Sequence, residues 1–359
     1  MRVRRVATAV AVLCLGASGC AVGSRGSGTP SDQIPASTKE VSFVVDGTTT
    51  YGSLQIPAHR SGQHLAAALL LAGSGATDRD GNQKPDLTPN TLRQIADALA
   101  GVGVMSLRFD KYFAGKTGVG RYASDPGSID LDAFIRQAGT AYKLLAGQPS
   151  VDRQRLLVVG HSEGGMYAIL VAEAVSPRPA GLALVEPQDE RLLDLLAVQI
   201  NETLDAQVAQ GTITADTARQ NAQAVKQAID QFRAGQPVDT SGLLPSVVRT
   251  LTPLILTPAS ARYARTDDAV DVAAAAAKLP SGTSVLVTDG TQDFNVPPFT
   301  LQPLVDGLAA ASTTGPGLQT LPGLDHDLEP AGTQPNGATL DTGFLTVLRA
   351  WAQPYTPAP

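Results

Sequence analysis

The sequence predicts a doubly wound α/β domain built on a mostly parallel sheet, and three observations lead to it. Near-continuous apolar runs at Leu65–Ala72, Val102–Arg108, Leu156–Gly160 and Leu182–Val185 have the length and composition of strands buried on both faces. Helix-like stretches at Thr91–Ala100, Ile129–Leu145 and Ser162–Val175 separate them, and this alternation builds parallel sheets covered on both sides. Finally, Gly160-His161-Ser162-Glu163-Gly164-Gly165 joins one apolar run to a helix with almost no connecting chain.

Upstream of these runs, Val41–Val45 and Thr49–Gln55 flank Asp46-Gly47, a hairpin signal, so the domain is expected to open with an antiparallel pair. After Glu186-Pro187 the strand–helix rhythm breaks. Residues 188–252 are polar and helical in pattern, with candidate helices at Leu192–Asp205, Thr214–Phe232 and Leu243–Leu251. They are expected to form a helical insertion above the strand ends, either a lid or a peripheral decoration. The rhythm resumes with a strand at Thr283–Thr288, a helix at Pro298–Ala311, a short strand at Leu318–Leu321 and a last helix at Gly343–Ala352.

The N-terminal region carries a different signal. Arg2, Arg4 and Arg5 precede an apolar run from Val6 to Leu15, followed by small residues up to Cys20, the pattern of a secretory leader. The run is too short to span a bilayer. Leu15-Gly16-Ala17-Ser18-Gly19-Cys20 resembles a bacterial lipoprotein processing site, with Ala17 where leucine is usual; the alternative is a plain cleaved signal. The resemblance implies residues 1–19 as signal peptide and Cys20 as the lipidated residue, which would anchor an exported protein to the membrane of a bacterial envelope rather than secrete it. Residues 20–39, rich in Gly, Ser, Thr and Pro, read as a flexible tether, and residues 40–359 as the α/β domain. The chain's two cysteines, Cys14 and Cys20, both precede the domain, which excludes a domain disulfide, a thiolate metal site and a cysteine nucleophile. The formal net charge of −6 becomes −9 once the three leader arginines are removed, and no Lys/Arg block follows, so no nucleic-acid partner is expected.

A serine at the tip of a strand-to-helix turn takes a strained backbone conformation, and its neighbours two positions away must lack bulk, as Gly160 and Gly164 do around Ser162. Its weakly nucleophilic hydroxyl needs a base, and the base a partner that fixes its tautomer. Among the four histidines, His161 sits within the turn and should project away from the neighbouring hydroxyl. His59 and His64 precede a strand whose working loop lies at its other end. His326 remains, in the loop Leu321–Asp327 after the last strand. The acid is expected from the loop after Thr283–Thr288, which offers Asp289 and Asp293. Asp293, deeper in the loop, is preferred, with Asp289 expected to hold the turn at Gly290.

The order Ser162, Asp293, His326 resembles that of the α/β-hydrolase superfamily. Gly73-Ser74-Gly75-Ala76-Thr77-Asp78-Arg79-Asp80-Gly81 and the turn Arg108-Phe109-Asp110-Lys111 are similar to the corresponding loops of its dienelactone-hydrolase-like and bacterial carboxylesterase members, although Ala72 stands where many relatives carry histidine. The resemblance implies an α/β-hydrolase fold and a serine hydrolase that cleaves small-molecule acyl esters through an acyl-enzyme, with no metal or organic cofactor. It also implies an oxyanion hole made by the backbone amides of Ser74 and Glu163. Asp78, Arg79 and Asp80 are expected to hold the loop by their charges, and Glu163 to contribute its amide alone. Thioester hydrolysis or acyl transfer would use the same residues. A non-catalytic envelope lipoprotein on the same fold is the alternative from another class.

Overall fold

The computed structural model describes residues 32–334 and 336–356. The expected leader, Cys20 and the first part of the expected tether lie outside the described residues. Among the described residues ten strands follow one another as β1 (Gln33–Ile34), β2 (Ser37–Val45), β3 (Thr48–Ile56), β4 (His59–Arg60), β5 (Leu65–Leu71), β6 (Met105–Phe109), β7 (Val151–His161), β8 (Gly181–Val185), β9 (Ser284–Gly290) and β10 (Thr314–Leu321). The helices are α1 (Thr91–Gly101), α2 (Leu131–Ala146), α3 (Glu163–Ala174), α4 (Leu192–Ala209), α5 (Ala215–Arg233), α6 (Pro245–Leu251), α7 (Pro258–Asp268), α8 (Val272–Ala276), α9 (Gln302–Ala310) and α10 (Thr342–Ala352).

Eight strands form one sheet in the order β10-β9-β8-β7-β5-β6-β3-β2. The pairs from β10 through to β6 are parallel, whereas β3 runs antiparallel to both β6 and β2. The all-buried β5, Leu-Ala-Ala-Ala-Leu-Leu-Leu, shows why the runs read as they do. Leu65, Ala67, Leu69 and Leu71 enter the core shared with α2, α3, α8 and α9, while Ala66, Ala68 and Leu70 enter the opposite core with α1 and α10. Helices on both faces leave the carboxyl ends of β5, β7, β8 and β9 as the edge where connecting loops gather.

Several boundaries differ from expectation, among them β10, which starts at Thr314 rather than Leu318, and α4, which runs on to Ala209. Ser37–Lys39, expected in the tether, pair residue for residue with Leu54–Ile56, and β1 pairs with β4, so regular structure begins before residue 40. β7 starts at Val151, because a polar stretch, Asp152–Arg155, extends the apolar run back to a pairing of Val151 with Leu65. The insertion also runs past 252. A π-helical turn at Thr252–Leu256 leads into α7, whose Ala264 joins a separate apolar core with Leu193, Ile200, Ile229, Phe232 and Leu251 of α4–α6. Pro253 and Pro258 give this stretch the look of a loop, yet Pro258 opens α7, where a missing N–H costs nothing. No helix among the described residues is long and apolar enough to cross a membrane.

Candidate active site

Ser162 occupies the one-residue hinge between β7 and α3 at φ 59° and ψ −129°. For a non-glycine residue this conformation costs on the order of 1–3 kcal/mol and persists only where the surroundings over-determine it. They do so here. A side chain at Gly160 would overlap the Gly164 carbonyl, and one at Gly164 would overlap the Leu71 carbonyl of β5. The Ser162 amide donates to the Val185 carbonyl at 2.9 Å, and its own carbonyl accepts from Gly165 N at 2.8 Å and Gln188 N at 3.0 Å.

The loops after β9 and β10 bring Asp293 and His326 together, with His326 Nδ1 2.7 Å from Asp293 Oδ2. The other carboxylate oxygen accepts from the amides of Asn295 at 2.7 Å and Val296 at 2.9 Å, so the aspartate is fixed before it fixes the imidazole. Burial alone would lower the pKa of His326; the charge and hydrogen bond of Asp293 outweigh it and raise it. Asp289 stays apart from His326 and is pushed up to about 6 by its own burial. It does not hold the turn at Gly290 as expected. That amide donates to Glu186 at 2.6 Å, because the buried Glu186 carboxyl turns toward β9 and also accepts from Thr288 Oγ1 at 3.2 Å. Burial, with the nearby Asp293 charge adding to it, raises Glu186 to about 8, so the group is largely neutral at pH 7.

His161 has a structural part that sequence reasoning missed. Its Nε2 lies 2.8 Å from the His326 carbonyl oxygen, and the two rings are 4.9 Å apart. Burial, with His326 close by, lowers its pKa to about 4, so it donates as a neutral imidazole and braces the loop that carries His326. His59 is buried in β4 with Nδ1 2.9 Å from the Pro57 carbonyl oxygen, and His64 is exposed beside the opposite end of the sheet.

The loop after β5 lies against the serine, since a Cβ on Gly73 would come 2.9 Å from Ser162 Cβ. The turn after β6 fastens this loop. Arg108 Nε contacts Asp80 Oδ1 at 2.9 Å, Arg79 Nη2 contacts Asp110 Oδ2 at 2.7 Å, and Asp78 Oδ1 accepts from the amides of Asp80 and Asn82 at 2.9 and 3.0 Å. Lys111 Nζ donates to the Gly73 carbonyl and contacts Glu163 Oε2 at 3.3 Å. Glu163 thus offers more than its amide. Its carboxylate also accepts from Tyr263 of α7, whose hydroxyl lies 3.0 Å from Asp267 Oδ2, and Gln188 Nε2 reaches Asp267 Oδ1 at 3.1 Å. Burial, reinforced by Glu163, raises Asp267 to about 7.

Ser74, Ser162, Glu163 and His326 line one cleft of about 510 Å³, walled by Leu192, Leu195, Leu196 and Gln199 of α4 and by Pro253, Ser260 and Tyr263. The serine hydroxyl and the His326 imidazole face this cleft without a hydrogen bond between them. Beyond Gly75, Glu163 and Tyr263 a second cavity of about 830 Å³ opens, walled mainly by apolar groups that include Tyr112, Phe113, Ile129, Phe134 and Ala259. Among the described residues, no three His, Cys, Asp or Glu side chains converge as metal ligands.

This chain, with a strained strand-to-helix turn at the carboxyl edge of an eight-stranded sheet, is similar in fold to several solved structures. Est1E from Butyrivibrio proteoclasticus, seen with bound ferulic acid, matches at 15% identity with a TM-score of 0.52, over 88% of this chain and 97% of its own. DcsB, in complex with a substrate analogue, matches at 14% identity and a TM-score of 0.53, over 90% and 100%. A mutant of the esterase rPPE matches at 18% identity and a TM-score of 0.52, over 90% and 84%. The fold is that of the α/β-hydrolases. No family model and no curated protein matches the sequence.

The Asp293–His326 pair has a direct readout. Its imidazole should titrate above the ordinary histidine value of 6.5 in NMR spectra of the folded protein. In Asp293→Asn, where burial acts without the opposing carboxylate, the titration should move below the wild-type value. An unchanged titration would remove the electrostatic argument for this pair.

Proposed function

We propose that the protein is a serine hydrolase that cleaves carboxylic esters through an acyl-enzyme. The observation that carries this reading is the convergence, on one cleft, of a strained serine, an imidazole braced by a buried aspartate, and a loop packed against that serine. Ser162 Oγ attacks the acyl carbon while His326 Nε2 takes its proton, and Asp293 keeps the proton-bearing Nδ1 aimed at itself. Negative charge builds on the former carbonyl oxygen, which the amides of Ser74 and Glu163 stabilise. His326 then protonates the departing alcohol, and water repeats the sequence on the acyl-serine. The naming of rPPE as an esterase is in keeping with this chemistry. Thioester hydrolysis and acyl transfer use the same groups and differ in the leaving group or the acceptor. A non-catalytic lipoprotein is disfavoured because no member of the set is missing.

The apolar cavity next to the serine cleft points to esters with a bulky apolar acyl group. Hydrolysis of p-nitrophenyl esters and labelling by a fluorophosphonate should both vanish in Ser162→Ala, and an unlabelled, folded wild type would refute the enzyme reading. In Ala259→Trp, which fills the second cavity from the insertion side, kcat/KM for a dodecanoyl ester should fall roughly 10- to 200-fold further than for an acetyl ester, the range by which apolar pockets discriminate. Equal losses on both esters would place the acyl chain elsewhere.

The leader motif supports an anchored location, the lipid on Cys20 holding the domain at a bacterial membrane with the intervening residues as its tether. Replacing Cys20 with Ala should move the full-length protein from the membrane fraction to the soluble one. Unchanged partitioning would remove the anchor from this account.

A further inference from the structure

The geometry points to a positioning residue outside the Ser162–His326–Asp293 set: Lys111 orients the Gly73–Ser74 peptide so that the Ser74 N–H faces the reacting carbonyl oxygen, and a chain from the insertion, Asp267–Tyr263–Glu163, holds Lys111 there. This inference rests on the esterase reading and extends it to groups that do not touch substrate.

A trans peptide is planar, with its C=O and N–H pointing to opposite sides, so whatever grips the Gly73 oxygen also sets the direction of the Ser74 hydrogen. Lys111 Nζ grips that oxygen. The next peptide is held by other means, since the Ser74 carbonyl accepts from Thr77 Oγ1 at 2.6 Å and from Gln83 Nε2 at 2.9 Å. Among the described side chains, Lys111 alone donates to the Gly73 carbonyl. Placement agrees: Ser74 lines the cleft that holds Ser162 and His326, whereas Lys111 lines the neighbouring cavity.

An ammonium in this position needs compensation, because the Lys111 side chain is 4% exposed. Glu163, itself 2% exposed, supplies the opposite charge at 3.3 Å, and the rings of Phe134 and Tyr167 lie 5.5 and 5.8 Å from Nζ. The Glu163 carboxylate is not left to swing, since Tyr263 donates to its other oxygen and is itself placed by Asp267 and by Tyr167 Oη at 3.0 Å. Tyr263 and Asp267 belong to α7, so the insertion reaches the oxyanion side of the cleft through four consecutive contacts. The raised pKa of Asp267 fits a site that holds one carboxylate charge beside Lys111 more readily than two.

The test uses the mature protein with Lys111→Met and Tyr263→Phe, a short p-nitrophenyl ester, and a trifluoromethyl ketone that adds Ser162 to form a stable oxyanion. Loss of one oxyanion donor lowers kcat by about 100- to 1,000-fold, and Lys111→Met should approach that range with KM within about threefold of wild type. Affinity for the trifluoromethyl ketone should fall by the same factor as kcat/KM, and ethylammonium should restore part of the activity of Lys111→Ala. Tyr263→Phe should shift kcat and ketone affinity together in the same direction by a smaller factor; it keeps the ring and decides the matter if Lys111→Met does not fold. A folded Lys111→Met with wild-type kcat, or a loss confined to KM, would overturn the inference, as would unchanged kcat in Tyr263→Phe. A wild type that neither turns over esters nor labels at Ser162 would instead overturn the esterase reading itself.

Discussion

The first turn of α3 packs so closely on the ends of β7 and β5 that neither Gly160 nor Gly164 has room for a Cβ, and Ser162 absorbs the reversal at φ 59°. The remaining site geometry is arranged around that contact. It brings the loop after β5 against the serine, where Gly73 has no side chain to obstruct the approach. It also commits the Ser162 carbonyl to Gly165 and Gln188, so the exit from β8, where the insertion begins, is tied to the same turn. Strain of this kind is tolerated because two cores of apolar side chains clamp the sheet from both faces.

Charge is distributed around the serine with few uncompensated groups. Asp293 meets His326 and two amides, Lys111 meets Glu163, and Arg79 and Arg108 meet Asp110 and Asp80. Two groups without an ionic partner flank the Asp293–His326 pair and are largely neutral at pH 7: His161 is depressed to about 4 and Glu186 raised to about 8, both chiefly by burial. A charged His161 would compete electrostatically with the neighbouring imidazole, and an ionised Glu186 would add a second anion beside Asp293. Burial pulls the pKa of His326 down, and Asp293, by charge and hydrogen bond, is the main influence that raises it.

The central strands of the sheet were legible because both faces are buried, which writes a run of apolar residues into β5 and β8. The elbow was legible because sterics demand glycine at two fixed offsets. Asp293 and His326 could be placed by their loops, and the structure brings them to 2.7 Å. The reading failed where tertiary packing rather than local pattern decides. Asp152–Arg155 extend β7 although they are polar, and two prolines hid α7. Lys111, Tyr263, Asp267, Glu186 and His161 carry no periodicity, and nothing local announces that they are buried. Only the turn Arg108-Phe109-Asp110-Lys111 gave a hint, and it marked a place without revealing that the lysine reaches Gly73.

The insertion has its own hydrophobic core, which by itself would suit it to be an exchangeable module. Tyr263 and Asp267 limit that freedom, because they end in the buried polar cluster beneath the serine rather than at the surface. A graft from another chain of this fold that lacked a counterpart of the tyrosine hydroxyl would leave the Glu163 carboxylate short of a donor in a dry site. Divergence of this segment is therefore coupled to the sheet at one corner, and a successful chimera would have to carry that corner with it.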